Sequence, residues 1–479
     1  MGGCMEFIDF SQKNKPQGNA LSGGIFILLV SGMQISWIFD IGIKKLSWAE
    51  GHSSMLIMIS YMSFYIAGGI GLFAASATIN RLTKKNIYFT SLIFVTTASG
   101  LLIFVGNNYY VVTISRSMIG FAHGYAYLTS IVHASEIMHQ KLRGMIIAAF
   151  QICIMSSALL TSSLANTIVE ETFESFQWLG VIGIIYSALG ILFTFIFTRE
   201  SPVSLMRQKK FDQAISIMIK VRNESDETWS IRNEYNELKT MVEEDEQTSS
   251  DILADGNVRP LILITLLKIA FVISFNYGLN TIRLYHTSFF ITAEGHNLSA
   301  LTFLTVRMLT MVVTIFSIEI NGRRLHFIVS QFATAILICI FAVVVLSEPD
   351  NFKFGYEVIN LLLEVAAGIG MGIIADVYSS EAFNTLKKPR SIFVSTTIEF
   401  VLHIVIIFTT FDISPGQRVY EGIFMMASGV SLMIITILLY RQLPETSKMS
   451  IRQTRSEFMR SGEIVFSGSN KMAPSSIYE

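Results

Sequence analysis

Hydrophobic positions along this chain gather into long unbroken runs, not into the narrow stripes of soluble helices or the alternation of strands. Twelve runs lie near 22–41, 53–79, 88–106, 108–133, 145–167, 176–197, 260–291, 299–320, 325–346, 355–380, 391–411 and 419–440. About 20 apolar residues carry a helix across the hydrocarbon core of a bilayer, so each run predicts a transmembrane helix. The pattern is six, a pause, then six. The expected fold is an all-α membrane protein with twelve transmembrane helices in two pseudo-symmetric six-helix halves, 22–197 and 259–441. A polar tail at 1–21 precedes them, a charged linker at 198–258 separates them, and a second tail at 442–479 follows. Within the linker, Phe211, Ala214, Ile215, Met218 and Ile219 recur at helical spacing. They predict two or three short amphipathic helices, with one face able to lie against the membrane domain.

Composition agrees. Of 479 residues, 51% are hydrophobic and only 15% charged, against about 25% charged in soluble domains. The near balance of 35 basic and 36 acidic residues gives no basis for nucleic-acid binding. Placement of the charges says more than their sum. With the amino terminus inside, 27 of the 35 Lys and Arg fall on the cytoplasmic side, four opposite and four inside helices. That bias predicts cytoplasmic termini. Cys4, Cys153 and Cys339 are scattered, and the last two lie in apolar runs, so no disulfide framework is expected. The start lacks a secretory signal, and Glu6 stands where a myristoylation pattern wants Ser or Thr. Asn297-Leu298-Ser299 is an outward-side sequon in a short loop.

Short segments recur in both halves, the mark of a duplicated carrier. Asn80-Arg81 with Lys84-Lys85 follows the second run, and Glu319 with Gly322-Arg323-Arg324 follows the eighth. Ser135-Glu136 with Arg143-Gly144 follows the fourth, and Ser380-Glu381 with Lys387-Lys388 follows the tenth. An acid at one helix end and basic residues in the next turn can pair between neighbouring helix ends. Such pairs break when the halves separate, so they bias a two-state equilibrium. On this reading Arg81, Arg116, Glu136, Arg143, Glu319, Arg323, Arg324, Glu381 and Lys388 are candidate ion-pair and gating residues.

With Ser115-Arg116, Gly120 and Gly124 in the fourth run, Glu200-Ser201-Pro202 after the sixth and Pro444-Glu445-Thr446 after the twelfth, the chain resembles the sugar-porter branch of the major facilitator superfamily. The resemblance spans about 25–448 and is strongest to the insect facilitated trehalose and glucose transporters. It implies two halves around a central cavity, alternating access, no cofactor, a monomeric carrier and a plasma-membrane location. It also implies a site on the fifth, seventh, eighth, tenth and eleventh helices. There Gln151 matches the family's glutamine, and Asn280, in Gly278-Leu279-Asn280, matches its asparagine. Elsewhere the pattern departs: Ser274 and Phe275 stand for two glutamines, Arg307 for an asparagine, Asp376 for a tryptophan, and Glu399 with Phe400 for Asn-Trp. In helix ten two prolines are missing from Gly370-Met371-Gly372 onward.

Candidate solute-contact residues are therefore Gln151, Asn280, Arg307, Asp376 and Glu399. A charge at mid-helix costs about 2.5–3.5 kcal/mol on the insertion scale, so Arg307 is expected to pair with Asp376 or Glu399 along the cavity. Such a pair fits a solute that is charged, a carboxylate that couples a proton, or a structural tie. Lys268 is expected to snorkel toward the inner surface, Asp40 to be satisfied by Lys44 or water, and His403 to be an interior histidine without a relay role. His133 replaces a family tyrosine, and Glu364 precedes Gly368, which stands at a family glutamate. Gly68-Gly69 with Gly71 lies mid-membrane, where small residues let helices approach. No metal spacing, phosphate loop or nucleophile–base pair occurs, so the chain is not expected to be an enzyme. The functions open at this point are carriage of a small polar solute, most readily a sugar, carriage of a charged or proton-coupled solute, or a non-transporting sensor or scaffold. The short tail after 448, Ser-rich and basic near the membrane, offers sites for phosphorylation or anionic lipid.

Overall fold

The computed structural model describes residues 14–37, 47–167, 175–287, 298–347, 352–411 and 416–460, which are helical with no strand among them. Ten of the expected spans are long and apolar enough to cross a bilayer. The other two are the first, Ser22–Ser36, and the fourth, Tyr109–Ile137. The far end of the first, with Asp40 and Lys44, lies outside the described residues, as do Cys4, Asn297 and the tail beyond 460. The fourth is 29 residues long, but its buried face carries Ser115, Arg116, His123, His133, Ser135 and Glu136. Most of it is buried in the interior of the protein, with Tyr110 and Ile114 exposed near its start.

Two spans are broken. The seventh divides into Val258–Ser274 and Tyr277–His286, and the tenth into Lys353–Gly368 and Ile373–Glu381. Phe275 is extended, with φ −147°. Asn276 then restarts the helix by accepting from the Leu279 amide at 2.9 Å, because the first amides of a helix have no partner of their own. In the tenth, Gly372 adopts φ +82°, a conformation an L side chain resists. Glycine also sets the closest helix pair. A Cβ on Gly124 would sit 2.0 Å from the Gly68 carbonyl, and one on Gly71 2.2 Å from that of Phe121, so spans two and four touch backbone to backbone. Gly69 faces open space.

The halves meet where span two packs on eleven, five on eight, and the second piece of ten on four and five. Between the halves stand Pro202–Arg207, Phe211–Val221 and Trp229–Glu246. The apolar face of the middle helix does not lie chiefly on the membrane domain. Ala214 and Met218 pack with Met206, Ile231 and Tyr235, so the linker helices bury one another. Arg222 ties this layer down, pairing with Glu234 and donating to the Ile137 carbonyl at 3.0 Å. The last helix, Ile451–Arg460, lies on the same face through Arg452–Glu244 at 2.5 Å and Arg455–Asp245 at 2.9 Å.

The repeated motifs converge on this linker face. Glu200 accepts from the Lys84 amide at 2.9 Å, capping the third span. Glu445 does the same for the ninth, accepting from the amides of Arg323 at 3.0 Å and Arg324 at 3.1 Å. Between these caps the halves are joined by one buried carboxylate. Glu381 receives Arg143 of the first half at 2.7 Å and Arg323 of the second at 2.5 Å. Arg323 also reaches Glu319 at 2.7 Å, and Lys388 reaches Ser135 across the halves at 2.9 Å. Five of the nine predicted ion-pair residues thus gather at this junction. Four do not pair as expected. Arg81 is exposed with no ion pair among the described residues, and Glu136 is buried with Oε2 unpartnered. Arg324 lies over the Tyr440 ring at 5.8 Å. Arg116 has no acid against it among the described residues; it bonds Gln34 and the Ser60 carbonyl, each at 3.0 Å, and lies 4.4 Å from the Trp37 ring.

Removing one partner of a buried pair costs about 3–5 kcal/mol. Glu381→Gln is therefore expected to open the linker face. Spin labels at Arg81 and Arg390, which line one cavity from opposite halves, should shift to longer distances in that variant. An unchanged distribution would show that the carboxylate does not hold the halves.

Candidate functional site

Midway through the membrane domain, the contacts between halves are polar. Asp376 lies in the first turn of the helix that restarts after Gly372, fully buried. Its two oxygens receive donors from both halves. Oδ1 accepts from Tyr127 at 2.5 Å and from Lys268 at 2.7 Å, while Oδ2 accepts from Gln151 at 2.8 Å. Lys268 also donates to the Tyr127 hydroxyl at 2.6 Å and lies 3.1 Å from Glu399 Oε2. That last contact is off the hydrogen-bond direction, so Oε2 has no hydrogen-bond partner. One lysine therefore serves two carboxylates.

Of these groups Gln151, Glu399 and Tyr127 line a central cavity of about 60 Å³, whose walls also include His123 and His403. The remaining wall is largely aromatic: Phe64, Tyr65, Phe271, Phe275 and Phe400. A water needs roughly 10–15 Å³ measured this way, so the cavity has room for a few waters. Anything larger requires the halves to part. His123 bonds Ser31 Oγ at 2.7 Å, and His403 stacks on Tyr65 with centroids 4.6 Å apart. On the side away from the linker, Tyr61 of span two meets Tyr277 and Phe411 of the other half at 5.4 and 5.6 Å between centroids.

A second cluster lies wholly in the second half. Glu364 receives Arg283 at 2.5 Å and Arg307 at 3.1 Å. Arg283 also bonds Asn360, and it donates to Asn280 Oδ1 at 3.2 Å. Arg307 lies 4.3 Å from the Phe275 ring centroid. The expected pair of Arg307 with Asp376 or Glu399 is therefore not formed. Glu364, one helical turn before Gly368, takes the arginines, and Lys268 takes the carboxylates. Lys268 does not snorkel; it points inward and is 1% exposed.

Of the five predicted solute-contact residues, Gln151 and Glu399 line the cavity and Asp376 stands directly behind Gln151. Asn280 and Arg307 belong to the second cluster. Sequence reasoning missed Lys268 and Tyr127. The available signal was charge arithmetic, since two acids deep in one half require a cation at their own depth. His133, without a role in the sequence, bonds the Tyr88 hydroxyl at 3.2 Å.

The geometry is that of a carrier, with two helical halves, a polar centre, and closures on either side of it. Comparison with known proteins agrees. The chain matches the family described as Sugar (and other) transporter over residues 9–458. Sugar transport protein 8 of Arabidopsis thaliana is 26% identical, over 62% of this chain and 58% of that protein. Sugar transport protein 11 of the same plant is 24% identical, over 84% of this chain and 79% of that protein. In fold, the chain superposes on the major facilitator superfamily proton:xylose symporter XylE bound to 6-bromo-6-deoxy-D-glucose, with TM-score 0.79 and 14% identity, covering 94% of this chain and all of that one. This chain is thus a multi-pass membrane carrier with the major facilitator fold, and it belongs to the Sugar (and other) transporter family.

Proposed function

We propose that the protein carries a small hydroxylated solute of the sugar class across the membrane by alternating access at this cavity. The observation that carries the reading is the position of Gln151 and Asp376. The amide and carboxylate come from opposite halves and bond each other at 2.8 Å, with Gln151 on the wall of the central cavity and Asp376 behind it. An amide offers both a donor and an acceptor, as a sugar hydroxyl requires. A hydroxyl entering between the halves can replace the Gln151–Asp376 bond on both sides at little net cost. The names of relatives, sugar transport proteins among them, support the same solute class.

In this reading the halves 22–197 and 259–441 rock about the cavity as one monomer. The linker face, with its excess of Lys and Arg, is cytoplasmic with both termini, and the membrane is the plasma membrane. Gln151, Asp376 and Glu399 contact solute. Arg143, Glu319, Arg323, Glu381 and Lys388 hold the cytoplasmic side shut. Asn280 and Arg307 act as framework through Glu364. Arg116 braces spans one and two.

Uptake of radiolabelled glucose and trehalose by the purified protein in liposomes tests this. Saturable uptake is expected, falling about tenfold in kcat/KM for Gln151→Ala, the scale of one lost hydrogen bond of about 1.4 kcal/mol. Solute binding with no flux, in protein shown to be folded, would instead make the chain a sensor. The framework role separates cleanly in a second variant. Glu364→Gln leaves Arg283 and Arg307 buried against a neutral amide, so it is expected to lower the melting temperature by several degrees. Its effect on KM should be small. A large rise in KM with unchanged melting would place Glu364 in the solute site.

A further inference from the structure

We propose that the central cavity selects a solute bearing a protonated amine, with Glu399 as the carboxylate that receives it. This deepens the sugar-class reading above by naming a charged substituent on the solute, and it rests on that reading.

The charge balance of the cavity is the starting point. Six ionisable groups face Glu399 among the described residues. Lys268 comes from span seven, Asp376 from ten, Tyr127 and His123 from four, Tyr65 from two, and His403 from its own helix. Lys268 directs hydrogen bonds to Tyr127 and Asp376, at 2.6 and 2.7 Å, and both are shorter than its 3.1 Å approach to Glu399. Neither imidazole forms an ion pair with a carboxylate among the described residues. The site therefore holds two carboxylates and one ammonium. Glu399 Oε2 is left buried on the cavity wall with a shared ammonium 3.1 Å away and no aligned hydrogen-bond donor of its own. A buried charged acceptor without a hydrogen-bond donor is unfavourable. An entering N⁺–H removes that cost through a charge-assisted hydrogen bond.

The walls fit the same ligand. A cation is attracted to an aromatic face within about 6 Å of its centroid, and more strongly when desolvated. This protein already uses rings in that way around the cavity. Arg307 lies 4.3 Å from Phe275, and Lys268 lies 5.1 Å from Tyr127. Tyr65, Phe64, Phe271 and Phe400 complete the wall with no cation of the protein over them among the described residues. A neutral sugar can exchange hydrogen bonds with Gln151 and Asp376, which satisfy each other in the closed site, but it offers no charge to Glu399. An aminated one finds an acceptor and a cage.

The test compares glucose, glucosamine and N-acetylglucosamine, which share a ring while only the second carries a charged amine. Binding is measured by equilibrium dialysis on the full chain in nanodiscs at pH 6.5, and uptake in liposomes alongside. Glucosamine is expected to bind at least tenfold tighter than the other two, with the preference falling to within about twofold in Glu399→Gln. Glu399→Asp, which keeps the charge, should retain most of it and guards against a loss of folding. Equal binding of the three sugars overturns the proposal. So does glucose uptake driven by a proton gradient without preference for glucosamine, which would make a proton the occupant of Glu399. Absence of flux for every sugar, with the binding preference intact, would sink the carrier reading and leave this one standing.

Discussion

The arrangement depends on the carboxylate of Asp376. It is fully buried, and an isolated ionised carboxylate there is prohibitively costly. Its partners are supplied from both sides: Lys268 from its own half, Tyr127 and Gln151 from the other. The internal lysine lets the second half keep the charge when the halves part. The two neutral donors make the closed arrangement preferable to an empty, open one. Tyr127 and Gln151 are thus the part of the coordination shell that a bound solute can replace. Glu399, next to the same lysine, shares its charge without sharing its hydrogen bonds.

Around that centre, the same device appears twice at the linker face. Glu200 caps the start of span three, and Glu445 caps the start of span nine, each from the segment that follows its own six helices. Because each half is folded back on itself in this way, it can move as a body. Among the ionic ties between the bodies, Glu381 between Arg143 and Arg323 is foremost. The tail joins the same junction. Arg143 donates to the Met449 carbonyl at 3.1 Å, and Phe458 is buried beside Tyr378.

Much of the fold is legible in the sequence because the bilayer imposes it. Backbone groups must be satisfied within each segment, so long apolar runs read directly as helices. The motif glutamates and arginines were legible for a related reason, since acids and bases at helix ends find each other locally. The breaks in spans seven and ten were less so. Asn276 and Gly372 sit inside runs long enough to be read as single helices, and backbone geometry shows that the helix stops there. Partner choice was least legible. Arg307, Asp376, Glu399, Glu364, Arg283 and Lys268 all announce themselves as costly charges, but pairing depends on helix rotation. A turn of rotation separates a ring of charges into Arg283–Glu364–Arg307 and Lys268–Asp376–Glu399.

The two clusters carry opposite imbalances, two arginines with one acid and two acids with one lysine, and this difference bears on how the halves can move. The first lies within one half and keeps its contacts whichever way the halves rock. The second lies at the junction, where its excess negative charge is exposed to whatever enters. The closures differ as well. The linker face is held by ions, which water solvates when they part, so opening there exchanges one set of polar contacts for another. The opposite side is held by Tyr61, Tyr277 and Phe411, and opening there uncovers apolar area at about 25 cal/mol per Å². Breaking the ionic side is therefore sensitive to charge and salt, and breaking the aromatic side to what solute or lipid covers the rings. A solute that satisfies Glu399 while lying against Tyr65 and Phe400 acts on both terms at once, because it supplies the missing charge and keeps the rings dry.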